Sequence, residues 1–214
     1  MTATSHWPWI AVILLGAYHG LNPGMGWLFA VALGMQDRKR TAVYSALIPI
    51  ALGHFISVGV VVFAGAVLNR LLPINDVKWI VAGILIGFGL FRLIRSRHPR
   101  WVGMRVGFWD LSAWSFLMAS AHGSGFMLLP VLLTMPATPD AHAQHLRHLL
   151  SSGSSAQYAA GVTIHTLAYF ATTGILALLV YEKVGLAFLR STWVNLDLVW
   201  ALALILTGVI ALLV

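Results

Sequence analysis

Two apolar stretches of bilayer-crossing length, one in each half of the chain, are interrupted by a histidine, glycines and a nearby proline. The first reads Tyr18-His19-Gly20-Leu21-Asn22-Pro23-Gly24-Met25-Gly26. The second reads Ala121-His122-Gly123-Ser124-Gly125-Phe126-Met127, with Pro130 close behind. In hydrocarbon every backbone group must be satisfied within the protein, so helix breakers and ionisable rings are costly there unless they line a cavity or a site. Matching interruptions in two halves of a membrane chain are the pattern of a transporter whose site lies at discontinuous helices near the midplane.

Composition supports the membrane setting. Only 9% of the 214 residues are charged and 59% are hydrophobic, against about 25% charged in a soluble domain, and the mean hydropathy is +0.87. The net charge of +7 comes from basic residues gathered between apolar runs, which is a topology signal and not a nucleic-acid surface. There is no cysteine, so disulfides, thiolate metal sites and thiol relays are excluded. Met1 to Trp9 carries no Lys or Arg and so lacks the basic start of a cleaved signal peptide, and the first span is expected to remain.

At about 20 apolar residues per crossing, six spans are expected, near 7–35, 41–68, 77–95, 108–135, 156–181 and 193–214. The first is too long for a straight helix, and a break over Gly20 to Gly26 absorbs the excess. Gly83 and Gly87 give the third span a small-xxx-small face suited to close helix packing. Ten basic residues (Arg38, Lys39, Arg40, Arg92, Arg95, Arg97, Arg100, Arg105, Lys183, Arg190) fall in alternate loops, against Arg70, Lys78 and Arg147 on the other side. The positive-inside rule then places both termini outside the cytoplasm. The largest basic loop, 92–105, divides the chain into a first three-span repeat (1–98) and a second (99–214). Two joined units of three spans have opposite orientations. The expected fold is therefore all-α and integral to the membrane: six transmembrane helices as two inverted three-helix repeats, the first helix of each repeat broken.

Each unit also carries a histidine in its second span: His54 in Leu52-Gly53-His54-Phe55-Ile56-Ser57 and His165 in Thr163-Ile164-His165-Thr166. Neutral imidazole is the commonest side-chain ligand for Ni, Co, Zn and Cu ions. The candidate metal ligands are thus His19, His54, His122 and His165, with Met25 and Met127 adding thioether sulfur that favours a softer ion. Asn22, Ser57, Ser124, Thr166 and Tyr169 are candidates to hold the second ring nitrogens. No carboxylate lies mid-span, which argues against Mg or Ca. The bland readings run alongside: a lone membrane histidine can simply tie helices together, methionines mostly pack, and Asn22-Pro23 can merely shape a turn. Between spans four and five, His142, His145 and His148 share one side of a short helix with Asp140 near its start, where they either collect metal at the outer mouth or form a plain polar surface.

Gly16-Ala17-Tyr18-His19-Gly20-Leu21-Asn22-Pro23-Gly24 resembles the His-Gly-Leu-x-Pro-Gly-His signature of the bacterial nickel/cobalt exporter family, and Gly53-His54 with Ser57 resembles that family's second histidine-bearing helix. The likeness covers mainly residues 16–60. It implies His19 and His54 as metal-contacting positions, a six-span fold of the lysine-exporter superfamily and a place in the bacterial cytoplasmic (inner) membrane. The chain departs at Met25, where the signature has its second histidine, and a thioether there shifts preference toward soft ions. The expected function is a secondary transporter, an exporter by this resemblance, of a transition-metal ion (Ni, Co, Cu or Zn), with the two units rocking about the site and no enzymatic activity. Alternatives stay open: a small organic solute exporter of the lysine-exporter type, or a membrane subunit holding a fixed metal or haem centre. Haem is not expected, since diheme membrane cytochromes usually carry two histidines on one helix and no span here does. Partners are the lipid bilayer and the metal ion, with a homo-oligomer or a larger membrane complex open, and no nucleic acid.

Overall fold

The structure is a computed structural model describing residues 6–94, 106–133, 135, 155–184 and 196–213. These residues form eight α-helices and no strand: α1 (Trp7–Leu21), α2 (Trp27–Asp37), α3 (Arg40–Leu71), α4 (Ile74–Ile94), α5 (Phe108–Ala121), α6 (Ser124–Leu133), α7 (Ser155–Leu179) and α8 (Leu196–Leu213). The expected boundary between repeats, at 98/99, lies outside the described residues.

Both expected breaks are present. Pro23 disfavours helical backbone at Asn22, which turns extended (φ −70°, ψ 120°) and ends α1. A 3-10 turn follows over Pro23–Met25, with the Asn22 side chain accepting a hydrogen bond from the Gly24 amide at 2.9 Å. Gly26 then takes φ +131°, a conformation that favours glycine, and α2 starts at Trp27. The Trp27 indole donates back across the break to the Leu21 carbonyl at 3.1 Å. In the second half, α5 stops at Ala121, Gly123 takes φ +69°, and α6 leaves at a bend of 60°.

Two helices, Arg40–Asn69 and Ser155–Lys183, are each long and apolar enough to cross a membrane, and the bent α5–α6 pair makes a third if it is one span. Among the described residues the apolar helices Trp7–Leu21 and Ala201–Leu213 are shorter than a crossing.

Close backbone packing runs between the two halves of the chain. A β-carbon on Gly16 of α1 would run into the His165 carbonyl of α7, and one on Gly20 would lie 2.7 Å from the Tyr169 carbonyl. Gly53 of α3 presses in the same way on Ser112 of α5, where a β-carbon would also meet the Phe116 nitrogen at 2.8 Å. Each of these pairs runs parallel: Gly16 and Gly20 follow His165 and Tyr169 in order, and the bonds from Ser115 to the Ile50 carbonyl (2.6 Å) and between Ser57 and Ser120 (2.8 Å) do likewise. Arg40 at the start of α3 pairs with Glu182, just past the end of α7, at 2.8 Å, so α3 and α7 run antiparallel. α4 and α8 are antiparallel too, with Gly89 against Ala201 and Ile205 and Gly208 against Ala82 and Ile86.

The expectation for Gly83 and Gly87 is overturned. Among the described residues nothing lies within 4 Å of a β-carbon on either. Two other glycines, Gly89 and Gly208, make the close α4–α8 approach, because the face carrying Gly83 and Gly87 turns outward.

Two apolar clusters bracket the middle of the bundle. One gathers Val31, Val43, Leu47, Ile50, Leu111 and Ala177, the other Val12, Val58, Val62, Leu128, Leu132 and Val162. Along α3 they lie on either side of His54. The Arg40–Glu182 pair is well exposed on the Arg40 side (63%), so Arg40→Ala should cost less than about 1 kcal/mol. Thermal unfolding in detergent checks this.

Candidate functional site

Three of the four expected histidines meet. His19 near the end of α1, His54 in mid-α3 and His165 in mid-α7 are all fully buried. Their ring centres are 5.8 Å (His19–His54), 5.1 Å (His19–His165) and 5.5 Å (His54–His165) apart. Imidazoles sharing one ion, at metal–nitrogen distances of about 2.0–2.1 Å, put ring centres roughly 5 Å apart. The spacing therefore suits a shared ion. The orientation does not yet do so: His54 and His165 are nearly parallel (12°) and present faces to each other. Among the described residues no group of three His, Asp or Glu side chains stands arranged to hold a metal. Coordination would require a ring to turn.

The fourth histidine, His122, is buried at the C-terminus of α5. His19 and His122 are held alike. The Nδ1 of His19 donates to the Leu15 carbonyl at 2.6 Å and that of His122 to the Met118 carbonyl at 2.7 Å, each four residues back. A carbonyl only accepts, so in both rings Nδ1 carries the proton and Nε2 the lone pair, the form that ligates metal. His54 and His165 have no hydrogen-bond partner at either nitrogen, although the Val12 carbonyl lies beside the His165 ring.

The expected supporting residues act differently. Asn22 caps the Gly24 amide and so shapes the turn. Ser57 pairs with Ser120. Ser124 and Thr166 are buried with unpartnered hydroxyls. Tyr169 lies flat on the His54 ring (3.8 Å, 12°) and gives its hydroxyl to the Met25 carbonyl. The orienting groups for His19 and His122 are therefore main-chain carbonyls of their own helices, which no residue-type argument singles out. Met25 is buried in the cluster of Ile50 and Tyr169, while Met127 packs with Val77, Leu85 and Leu204 against α4 and α8. Asp140, His142, His145 and His148 lie outside the described residues.

Sequence reasoning missed Ser115, Ser120 and the packing glycines Gly16, Gly20 and Gly53. The signal for the first two glycines was present as Gly16-x-x-x-Gly20, a small-xxx-small spacing one residue away from the histidine. No protein family, no curated protein and no solved structure matches the chain.

Proposed function

We propose that this chain is a six-span secondary transporter, built from two inverted repeats, that moves a transition-metal ion through the histidine cluster. The observation that carries the reading is the meeting of three fully buried imidazoles from three helices, with ring centres 5.1–5.8 Å apart. A neutral nitrogen set of this kind suits Ni, Co, Zn or Cu and gives Mg or Ca nothing to replace their carboxylates. Met127 packs away among apolar side chains, so of the two thioethers only Met25, beside Tyr169, stays near the cluster.

The helix pairing supports the repeat. Exchanging the halves maps α1 on α7 to α5 on α3, and maps α3–α7 and α4–α8 onto themselves. Arg38, Lys39, Arg40 and Lys183 gather at the end joined by the Arg40–Glu182 pair, which supports that end as cytoplasmic and the first helix as starting outside. Export rests on the family resemblance. The tight glycine contacts favour α1–α7 and α3–α5 as the rigid bodies, so that rocking occurs between them and passes through His54 against His19 and His165. This replaces rocking between whole repeats.

The test is flux of Ni²⁺, Co²⁺, Zn²⁺ and Cu⁺ in proteoliposomes, comparing wild type with His165→Ala. At least one ion should move above empty vesicles, with flux falling at least tenfold in the variant. Equal flux from both proteins, or none from wild type, would sink the proposal.

A further inference from the structure

Within the break, the Met25 carbonyl has lost its helical donor. The Phe29 amide, which would serve Met25 in a continuous helix, bonds to Gly26 instead. The hydroxyl of Tyr169 supplies the missing donor to the Met25 carbonyl. Tyr169 comes from α7, one turn after His165, and is fully buried. Its ring at the same time covers the face of His54 at 3.8 Å. One side chain therefore caps the broken helix and fixes the plane of a cluster histidine on another helix.

This double contact has a mechanical consequence. His54 stands parallel to both Tyr169 and His165. Turning its nitrogen toward His19 and His165 must either slide it off the phenol or carry the phenol along. In the second case the hydroxyl leaves Met25, and the break loses its cap. We infer that Tyr169 is a positioning residue that couples the orientation of His54 to the α1–α2 break, so that an ion drawing in His54 loosens the Pro23–Gly26 turn. The inference rests on the transport reading for its purpose, but the coupling itself is independent of the cargo. Of the neighbouring hydroxyls, Ser115 bonds to Ile50, Ser57 pairs with Ser120, and the buried Thr173 hydroxyl has no partner among the described residues; Tyr169 is the side chain that touches both the break and His54.

The experiment is a double-mutant cycle of Tyr169→Phe and His54→Leu in the full-length protein, read by amide hydrogen exchange over Gly24 to Phe29. Phenylalanine keeps the stack and removes the cap, so exchange there should rise at least tenfold. His54→Leu should change exchange at the break in the wild-type background by at least threefold and leave it unchanged in the Tyr169→Phe background. The same change in both backgrounds, or none in either, would overturn the inference. Co²⁺ is the transport probe: Tyr169→Phe should bind it within about threefold of wild type yet carry it at least tenfold more slowly. Parallel loss of binding and flux would mark a merely structural role. If wild type neither binds nor carries Co²⁺ while the cycle still shows coupling, the cobalt cargo fails and the coupling stands.

Discussion

Gly53→Ala will disassemble the bundle at the α3–α5 contact, whereas Gly83→Ala will be neutral or slightly stabilising. A methyl at position 53 lands inside the Ser112 carbonyl and 2.8 Å from the Phe116 nitrogen. These are backbone atoms of a helix and cannot rotate aside. The helices must separate, which stretches the Ser115–Ile50 and Ser57–Ser120 bonds that flank the contact. Overpacking of this kind costs about 1–3 kcal/mol, and each lost bond adds about 0.5–1.5 kcal/mol. Gly16→Ala should behave likewise against His165. At Gly83 a methyl meets open space, and alanine gains up to about 1 kcal/mol of helix propensity. Thermal unfolding in detergent for all three variants decides the matter. A Gly53→Ala protein as stable as wild type would contradict the packing described here.

His54→Leu should abolish metal binding while leaving the fold as stable as before, or more so. Both nitrogens of His54 are buried without a hydrogen-bond partner, and an unmet polar group costs about 1–3 kcal/mol. Leucine, of similar volume, removes that cost and still packs on Tyr169. Each kcal/mol recovered raises the midpoint by about 2–4 °C in a chain of this size. Losing one of three imidazoles should weaken transition-metal affinity at least a hundredfold. A histidine kept to tie helices together would do the opposite, its loss lowering the midpoint. A variant that binds metal normally and melts several degrees lower would return His54 to a structural role. A polar group kept at a stability cost is the expected mark of a functional position.

How far the sequence carries is clear from particular residues. The two breaks were legible because Asn22-Pro23, Gly26 and Gly123 act through local backbone sterics that need no tertiary partner. The histidines were legible as candidates because ionisable rings in apolar spans are rare and costly. Their orienting partners were not: Leu15 and Met118 act through main-chain carbonyls, which every residue has. Gly83-x-x-x-Gly87 and Gly16-x-x-x-Gly20 look alike as spacings, yet one faces outward and the other locks α1 to α7. A spacing defines a helix face, but not which neighbour covers it.

The amino-acid order by itself determined the all-helical character, the membrane-like apolarity, the positions of the two breaks and the cysteine-free, carboxylate-free middle. These depend on composition and on interactions over a few residues. Only the tertiary structure decided that His19, His54 and His165 meet, that Met127 packs apart from them, that Ser57 turns to Ser120, and that Tyr169 bridges His54 and the break. Those outcomes depend on which helix faces which. That choice is made by the summed packing of residues more than a hundred positions apart, such as Gly16 on His165 and Tyr169 on Met25.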